Sequence, residues 1–174
     1  MASEESTETA DALEAVLTAF KAGSIDGDEA ARQIRGHFFT DLGHTVLDTD
    51  RNQRTGSAEV IFGAGKTAEQ ITDIVASMVE RGTNVLVTRL DQPTFDQLEN
   101  LPTNAEYHAM SQLLWWHSSP PRRLEHTVAV VSAGTSDMHV AEEAALTAEF
   151  YGNNVQRIYD VGVAGLHRLL ARLD

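Results

Sequence analysis

The stretch TVAVVSAGTSDMHVAEEAA, residues 127–145, decides the fold of this chain. Its apolar, β-branched beginning at 128–131 predicts a buried strand. A tight turn is predicted around Gly134, and a helical pattern opens after Asp137. A strand, a glycine-containing loop and a helix N-terminus together favour the binding of an anion. The reason is that the loop N–H groups and the positive end of the helix dipole point the same way.

Composition and charge exclude several classes of function. The 174 residues are 42% hydrophobic, enough for one domain of ordinary size or two small ones. The net charge of −13 argues against nucleic-acid binding, and the absence of cysteine excludes a disulfide framework within these residues. Neither a signal peptide nor an apolar run of transmembrane length is evident, so we expect a cytoplasmic protein without a membrane partner.

The first part of the chain is predicted to combine helices with a small sheet. We expect a disordered acidic tail at 1–10, and helical spacing then predicts a helical hairpin whose second helix is capped by Asp26 or Asp28 and ends near Gly36. Strands and helices then alternate, which predicts a small parallel sheet. The predicted segments are strands at 45–47, 58–62, 84–90 and 106–110 and helices at 68–80 and 93–98.

A Ser/Pro/Arg-rich segment at 118–126 predicts a linker between an N-terminal α/β domain (11–117) and a second unit (127–174). The second unit is predicted to run strand, helix, strand, helix. Two strands are too few to cover the helices of a doubly wound sheet, so we expect an incomplete flavodoxin-like parallel-sheet domain. Its uncovered edge strand predicts association with other chains.

Two loops of the second unit are predicted to form one site, because parallel neighbouring strands would place residues 160–168 beside the loop at 132–137. Together they offer hydroxyls, N–H groups, a carboxylate and a His-Arg pair. The alternative is that Ser136 or Asp137 merely caps a helix and Arg168 is a surface residue. The candidate substrate-binding residues of these loops are Ser132, Gly134, Thr135, Ser136, Asp137, Asp160, Gly162, Gly165, His167 and Arg168.

The segment Gly63–Thr67 (GAGKT) lies between a predicted strand and helix and is similar to a phosphate-binding loop. The Walker pattern fails, because Val60 stands where that pattern requires its first glycine. An anion-binding loop with Lys66 as a point charge remains open, as does a simple N-cap role for Thr67.

Arginines and carboxylates near residues 48–59 are a further candidate group. Arg51, Arg54 and Glu59, together with Arg89 at the end of a buried strand, predict either a ligand clamp or a structural ion-pair network. The histidines have no metal-ligand spacing, so we predict no metal site built from protein side chains alone.

Four segments together resemble the LarB family, pyridinium-3,5-biscarboxylic acid mononucleotide synthase. The segments are DTDRNQRTGSAEVIFGAGKTAEQI (48–71), NVLVTRL (84–90), VVSAGTSDMHVAEEAA (130–145) and IYDVGVAGLHRLL (158–170). The resemblance implies an N-terminal LarB-specific domain followed by a PurE-type domain, similar to aminoimidazole ribonucleotide carboxylase.

The resemblance also implies an activity. Members of this family carboxylate nicotinic acid adenine dinucleotide with CO2 or bicarbonate and release AMP, giving the biscarboxylate mononucleotide, a precursor of the nickel-pincer cofactor. It implies assistance by Mg²⁺ and a homo-oligomer. The nucleophilic cysteine of the family lies in a later segment, so we expect a C-terminally truncated chain that is inactive or incomplete unless a complementary C-terminal fragment supplies that segment. The alternatives are a purine-biosynthetic aminoimidazole ribonucleotide carboxylase-like enzyme and a non-catalytic truncated or partner subunit.

Overall fold

The computed structural model describes residues 2–49, 51, 55, 57, 59–162 and 164–171. The chain forms two compact units, Met1–Glu59 and Val60–Asp174. Helices and several small sheets alternate, so the predicted α/β class is confirmed. The flavodoxin-like arrangement of the second half and the domain boundary at 118–126 remain predictions.

The helices and strands follow one another closely along the chain. The helices are α1 (Ala2–Lys21), α2 (Gly27–Phe38), α3 (Ala68–Glu80), α4 (Gln92–Phe95), α5 (Met138–Phe150) and α6 (Leu166–Leu170). The strands are β1 (Phe39–Asp41), β2 (Val46–Asp48), β3 (Ile61–Phe62), β4 (Val85–Thr88), β5 (Glu106–His108), β6 (Leu113–Trp116), β7 (Thr127–Val131) and β8 (Asn154–Ile158).

The first unit contains the predicted helical hairpin. The carboxylate of Asp26 accepts a hydrogen bond from the N–H of Glu29 at 2.8 Å and caps α2. Strands β1 and β2 pair antiparallel. Helix α1 begins at Ala2, and its Ala and Glu residues are good helix formers. The disordered tail at 1–10 stays a prediction.

The first sheet of the second unit has the order β3-β4-β6-β5. Strands β3 and β4 are parallel, but β6 is antiparallel to both β4 and β5. The predicted parallel sheet is therefore wrong in detail, and the sheet is mixed. A short turn before β6, in which Gln112 has a φ of 51°, reverses the chain after β5, and apolar periodicity alone does not report that reversal.

The core of the second unit lies on both faces of β4. Val85, Leu86 and Val87 are fully buried. On one face, Leu86 packs with Phe150 of α5 and with Trp115 at the margin of the same cluster. This packing ties α5 to the mixed sheet.

Strands β7 and β8 form a separate two-stranded parallel sheet, in register from Thr127↔Asn154 to Val131↔Ile158. Helix α5 connects them in the βαβ manner that the sequence predicts. Val131 is 50% exposed and Leu166 is 67% exposed, so apolar surface remains open around this sheet within its own unit.

Candidate functional site

The loops that follow β7 and β8 meet at the carboxyl edge of their parallel sheet. The N–H of Val161 donates to the carbonyl of Ser132 at 3.2 Å, and the N–H of Gly162 donates to the carbonyl of Ala133 at 2.7 Å. These main-chain bonds hold the two loops side by side, as the parallel pairing predicts.

The first loop turns its carboxylate inward. Asp137 occupies the N-cap position of α5, but its Oδ2 accepts a hydrogen bond from the N–H of Gly134 at 3.2 Å. Its Oδ1 is 3.4 Å from the Ser136 hydroxyl. The carboxylate therefore orders the loop that precedes it, and the interpretation of Asp137 as a simple helix cap is not what the geometry shows.

The second loop adopts an unusual backbone. Asp160 has a φ of 57° and Gly162 a φ of 71°, both in the left-handed region. The Arg168 side chain folds back from α6, so that its Nη2 donates to the carbonyl of Asp160 and lies 2.8 Å from the Asp160 carboxylate. The predicted second wall of the site is thus closed by an ion pair, with Arg168 46% exposed.

A cleft of about 700 Å³ lies between these loops. That volume is in the range of pockets that bind small molecules and cofactors. Its lining consists of Ala133, Gly134, Thr135, Ser136, Asp137, Asp160, Gly162, Ala164, Gly165, His167 and Arg168. Nine of the ten residues that the sequence assigns to the two loops are among these.

Ser132 is the exception. It is only 7% exposed, and it lies behind the lining of the cleft. Within the described part of the chain its Oγ has no hydrogen-bond partner. Ser132, predicted as a binding residue, is therefore buried behind the residues that line the cleft.

An ion-pair network beneath the cleft was not predicted from the sequence. Arg157 on β8 bridges Glu142 (2.9 Å) and Glu149 (2.5 Å) on α5, and the Tyr159 hydroxyl donates to Glu142 at 2.7 Å. The available signal was the spacing of the residues: two carboxylates stand seven residues apart on α5, and Arg157 on β8 is followed two residues later by Tyr159, just after the strand ends.

The network shifts the pKa values of Glu142, Arg157 and Tyr159. Hydrogen bonds from Arg157 hold the pKa of Glu142 below its ordinary value, although burial opposes them. Burial, reinforced by the bond to Glu142, raises the pKa of Tyr159 to about 12. Both carboxylates raise the pKa of Arg157, with Glu149 contributing most. At neutral pH the lowered pKa of Glu142 and the raised pKa of Arg157 therefore keep this pair as an anion and a cation.

The Gly63–Thr67 segment lies at the end of β3, and the side chains of Lys66 and Thr67 form hydrogen bonds with neighbouring residues of the chain. The Lys66 ammonium donates to the carbonyl of Phe62 at 3.0 Å. The Thr67 hydroxyl accepts from the N–H of Gln70 at 3.2 Å, and the Gln70 side chain accepts from the N–H of Thr67 at 3.0 Å. This capping box confirms the N-cap interpretation of Thr67.

Arg89 follows β4 and has a φ of 54°. Its Nε lies 2.9 Å from the carboxylate of Glu143 on α5. Arg89, predicted as a binding residue, therefore forms an ion pair with α5, the helix that begins at the cleft.

The candidate group of the first unit is only partly described. The Glu59 carboxylate accepts a hydrogen bond from the N–H of Asp48 at 3.0 Å, and the Arg51 carbonyl accepts from the Thr55 hydroxyl at 2.9 Å. Arg54 lies outside the described residues. A ligand clamp formed by Arg51, Arg54 and Glu59 therefore remains a prediction.

The described residues show neither a cluster of metal ligands nor a membrane-spanning helix. Among the side chains that the structure describes, no three His, Asp or Glu side chains converge as metal ligands would. In the described ranges of the chain, no helix combines the length and the apolar character needed to cross a membrane.

The fold and the cleft define an α/β protein with a ligand-sized cleft at the carboxyl edge of a parallel strand pair. Residues 39–118 match the LarB/PurE-like N-terminal domain family. A relative is an uncharacterized protein of Methanocaldococcus jannaschii, 32% identical over 169 residues; the alignment covers 92% of this chain and 66% of the relative. The chain belongs to the LarB/PurE-like family, and it spans about two thirds of the length of that relative.

Proposed function

We propose that this chain supplies the nucleotide-binding part of a LarB-type pyridinium carboxylase and hydrolase. The proposed substrate is nicotinic acid adenine dinucleotide, and the proposed products are pyridinium-3,5-biscarboxylic acid mononucleotide and AMP. Carbon dioxide, directly or from bicarbonate, replaces a ring hydrogen, which leaves as a proton, and water cleaves the phosphoanhydride. The observation that supports this proposal is the cleft between the two loops, in a chain that belongs to the LarB/PurE-like family.

The cleft residues suit a phosphate-bearing ligand. Thr135 and Ser136 line it at the approach to α5, where N–H groups and hydroxyls can donate to phosphate oxygens. Arg168 adds a guanidinium, the side chain best suited to paired hydrogen bonds with phosphate. We assign binding of the dinucleotide, rather than attack on the pyridinium ring, to these residues.

Mg²⁺ is part of the same proposal. Magnesium is usually held by one or two carboxylates together with substrate phosphates. Asp137 lines the cleft and fits that role, because among the described residues its two oxygens accept only the Gly134 N–H and the Ser136 hydroxyl, which leaves lone pairs for a cation. Magnesium bound there would offset the charge of the phosphates.

Assembly with further copies, or with a complementary C-terminal fragment, also belongs to this proposal. The exposure of Val131 beside a two-stranded sheet supports it, because small sheets with open apolar surface favour association.

The decisive experiment follows carbon from labelled bicarbonate into product. The coding sequence is expressed both by itself and with the DNA that follows it, and each protein is incubated with nicotinic acid adenine dinucleotide, ¹³C-bicarbonate and Mg²⁺. Mass spectrometry is expected to detect the labelled biscarboxylate mononucleotide and AMP. Arg168→Ala is expected to lower the formation of the labelled biscarboxylate mononucleotide by about tenfold or more, the loss typical of a charge-assisted contact to substrate.

Arg32→Ala is the matched control, because Arg32 is an exposed residue of α2 that, in the part of the chain that the structure describes, pairs only with Glu29 of its own helix. It is expected to leave product formation unchanged. Labelled carboxyaminoimidazole ribonucleotide from aminoimidazole ribonucleotide, with no conversion of the dinucleotide, would establish the alternative carboxylase. No labelled product from either substrate in any preparation would overturn the proposal.

A further inference from the structure

The Arg168 guanidinium is held at one corner and open elsewhere. Its Nη2 is engaged by both the carbonyl and the carboxylate of Asp160. Within the described part of the chain, Nε and Nη1 contact no acceptor. Because a guanidinium carries five N–H donors in a rigid plane, fixing one nitrogen orients the remaining donors.

Gly162 provides the surface on which this guanidinium lies. A Cβ at Gly162 would be 2.9 Å from Nη1, 3.4 Å from Cδ and 3.6 Å from Cζ of Arg168. Any side chain at this position would therefore displace the guanidinium. The displaced group is the end of a flexible side chain, so the displacement itself would cost little stability.

Asp160 presents its carbonyl to Arg168 because its backbone is left-handed. Its φ of 57° is a conformation that Asp, Asn and Gly adopt more readily than other residues. Beside it, the Val161 N–H donates to the Ser132 carbonyl and fixes this loop against the first one. The contact to Arg168 is thus built into the main chain of the cleft.

We propose that Asp160 and Gly162 are positioning residues that hold Arg168 as a preformed receptor for the phosphate of a nucleotide. The inference rests on the proposed function only in taking this cleft as the nucleotide site. It assigns Asp160 to the orientation of Arg168 and not to contact with the ligand. It also gives a reason why position 162 must lack a side chain.

The test is a titration of the full chain with AMP, followed by NMR of the Arg168 Nε–H and the cleft amides, with adenosine as the ligand that lacks phosphate. Gly162→Ala is expected to weaken AMP binding by about tenfold, because it moves the guanidinium. Gly82→Ala is the matched control. Gly82 also has a positive φ, 65°, lies in the same compact unit, and would place its Cβ no closer than 3.6 Å to a neighbour. Both variants are expected to lose a similar amount of stability, because both place a side chain on a left-handed backbone, but only Gly162→Ala is expected to lose AMP affinity.

Asp160→Gly and Asp160→Asn separate positioning from backbone strain, because both residues accept a left-handed backbone. The glycine variant is expected to weaken AMP binding by about threefold, and asparagine, whose amide oxygen still accepts from Arg168, is expected to recover most of that loss.

Equal AMP affinity in Gly162→Ala and Gly82→Ala would overturn the inference, as would the absence of saturable AMP binding or equal binding of adenosine. The test of the positioning inference and the test of the proposed function can fail independently. If the dinucleotide is not carboxylated but AMP binding follows the expected variant pattern, the positioning inference stands alone. If carboxylation occurs but the variants do not differ, only the positioning inference falls.

Discussion

The loop at Gly63–Thr67 and the loop at Ser132–Asp137 both join a strand to a helix. Of these two loops, only the second borders the cleft at the end of the β7–β8 sheet. In the first, Lys66 donates to the carbonyl of its own strand, and Thr67 completes a capping box. In the second, Asp137 turns away from its helix, and a neighbouring loop is bonded alongside. The difference shows that a glycine-containing turn forms a cleft only when another segment lies beside it, because the polar groups of the short motif can also hydrogen-bond among themselves.

The largest expected effect comes from two glycine substitutions, one in the Gly63–Thr67 loop and one in the turn that follows α5, the helix that begins at the Ser132–Asp137 loop. Gly152, in the turn between α5 and β8, has a φ of 84°, and a Cβ there would collide with the carbonyl of Arg122. We expect Gly152→Ala to lower the free energy of unfolding by about 3 kcal/mol or more, because backbone atoms have no flexible way to move aside. Chemical denaturation measures this loss.

The matched variant in the first region is Gly65→Ala. Gly65 has a φ of 80°, but the space around its Cβ position is open. We expect a loss of about 1 kcal/mol from the left-handed conformation alone. Equal losses of unfolding free energy for the two substitutions would contradict this prediction, because they would show that the contact of the new Cβ with Arg122 adds no cost.

An intermediate effect is expected from the network beneath the second region. Arg157→Ala should lower the free energy of unfolding by about 2 kcal/mol at neutral pH, because it removes hydrogen bonds to two carboxylates. The loss should diminish in acid. The pKa of Glu142 is lowered in the folded protein, so its stabilisation is present above the ordinary carboxyl pKa and disappears as the pH falls through the lowered folded value.

Denaturation curves at neutral and acidic pH measure the difference. Arg32→Ala, which removes an exposed ion pair within α2, should cost less than about 0.5 kcal/mol at either pH. A loss for Arg157→Ala that is the same at both pH values would contradict the electrostatic explanation.

The smallest expected effect concerns the threonines of the two loops. Thr67→Ala should cost about 1 kcal/mol, the usual value of an N-cap side chain. Thr135→Ala should change stability by less than about 0.5 kcal/mol, because Thr135 is exposed and its side chain makes no hydrogen bond in the described part of the chain. Thermal unfolding of the two variants compares them directly, and a larger loss for Thr135→Ala would reverse the contrast between the loops.

The sequence predicts local structure well where a single segment carries the whole signal. Helix α3 occupies 68–80 as predicted, and Asp26 caps α2 as one of two predicted candidates. Strand β6 was not among the predicted strands, and the parallel arrangement predicted for the sheet is wrong there, because a buried strand has the same apolar pattern whichever way it runs.

The sequence predicted that the two loops lie side by side, but it did not predict how their charged side chains pair. Parallel neighbouring strands were enough to place Asp160 beside the first loop. The sequence could not show that Asp160 would bind Arg168, or that Arg157 would bridge two glutamates, because such contacts depend on side-chain directions set by tertiary packing.

The bonds that join the two cleft loops run between main-chain atoms of residues 132–133 and 161–162. Amide and carbonyl groups are the same whatever side chain is attached, so the outline of the cleft is insulated from many substitutions in these loops. Variation at exposed lining positions such as Thr135 can therefore alter which molecule fits without dismantling the frame. The cleft therefore combines a frame of main-chain hydrogen bonds with lining side chains that can change its preference for ligands.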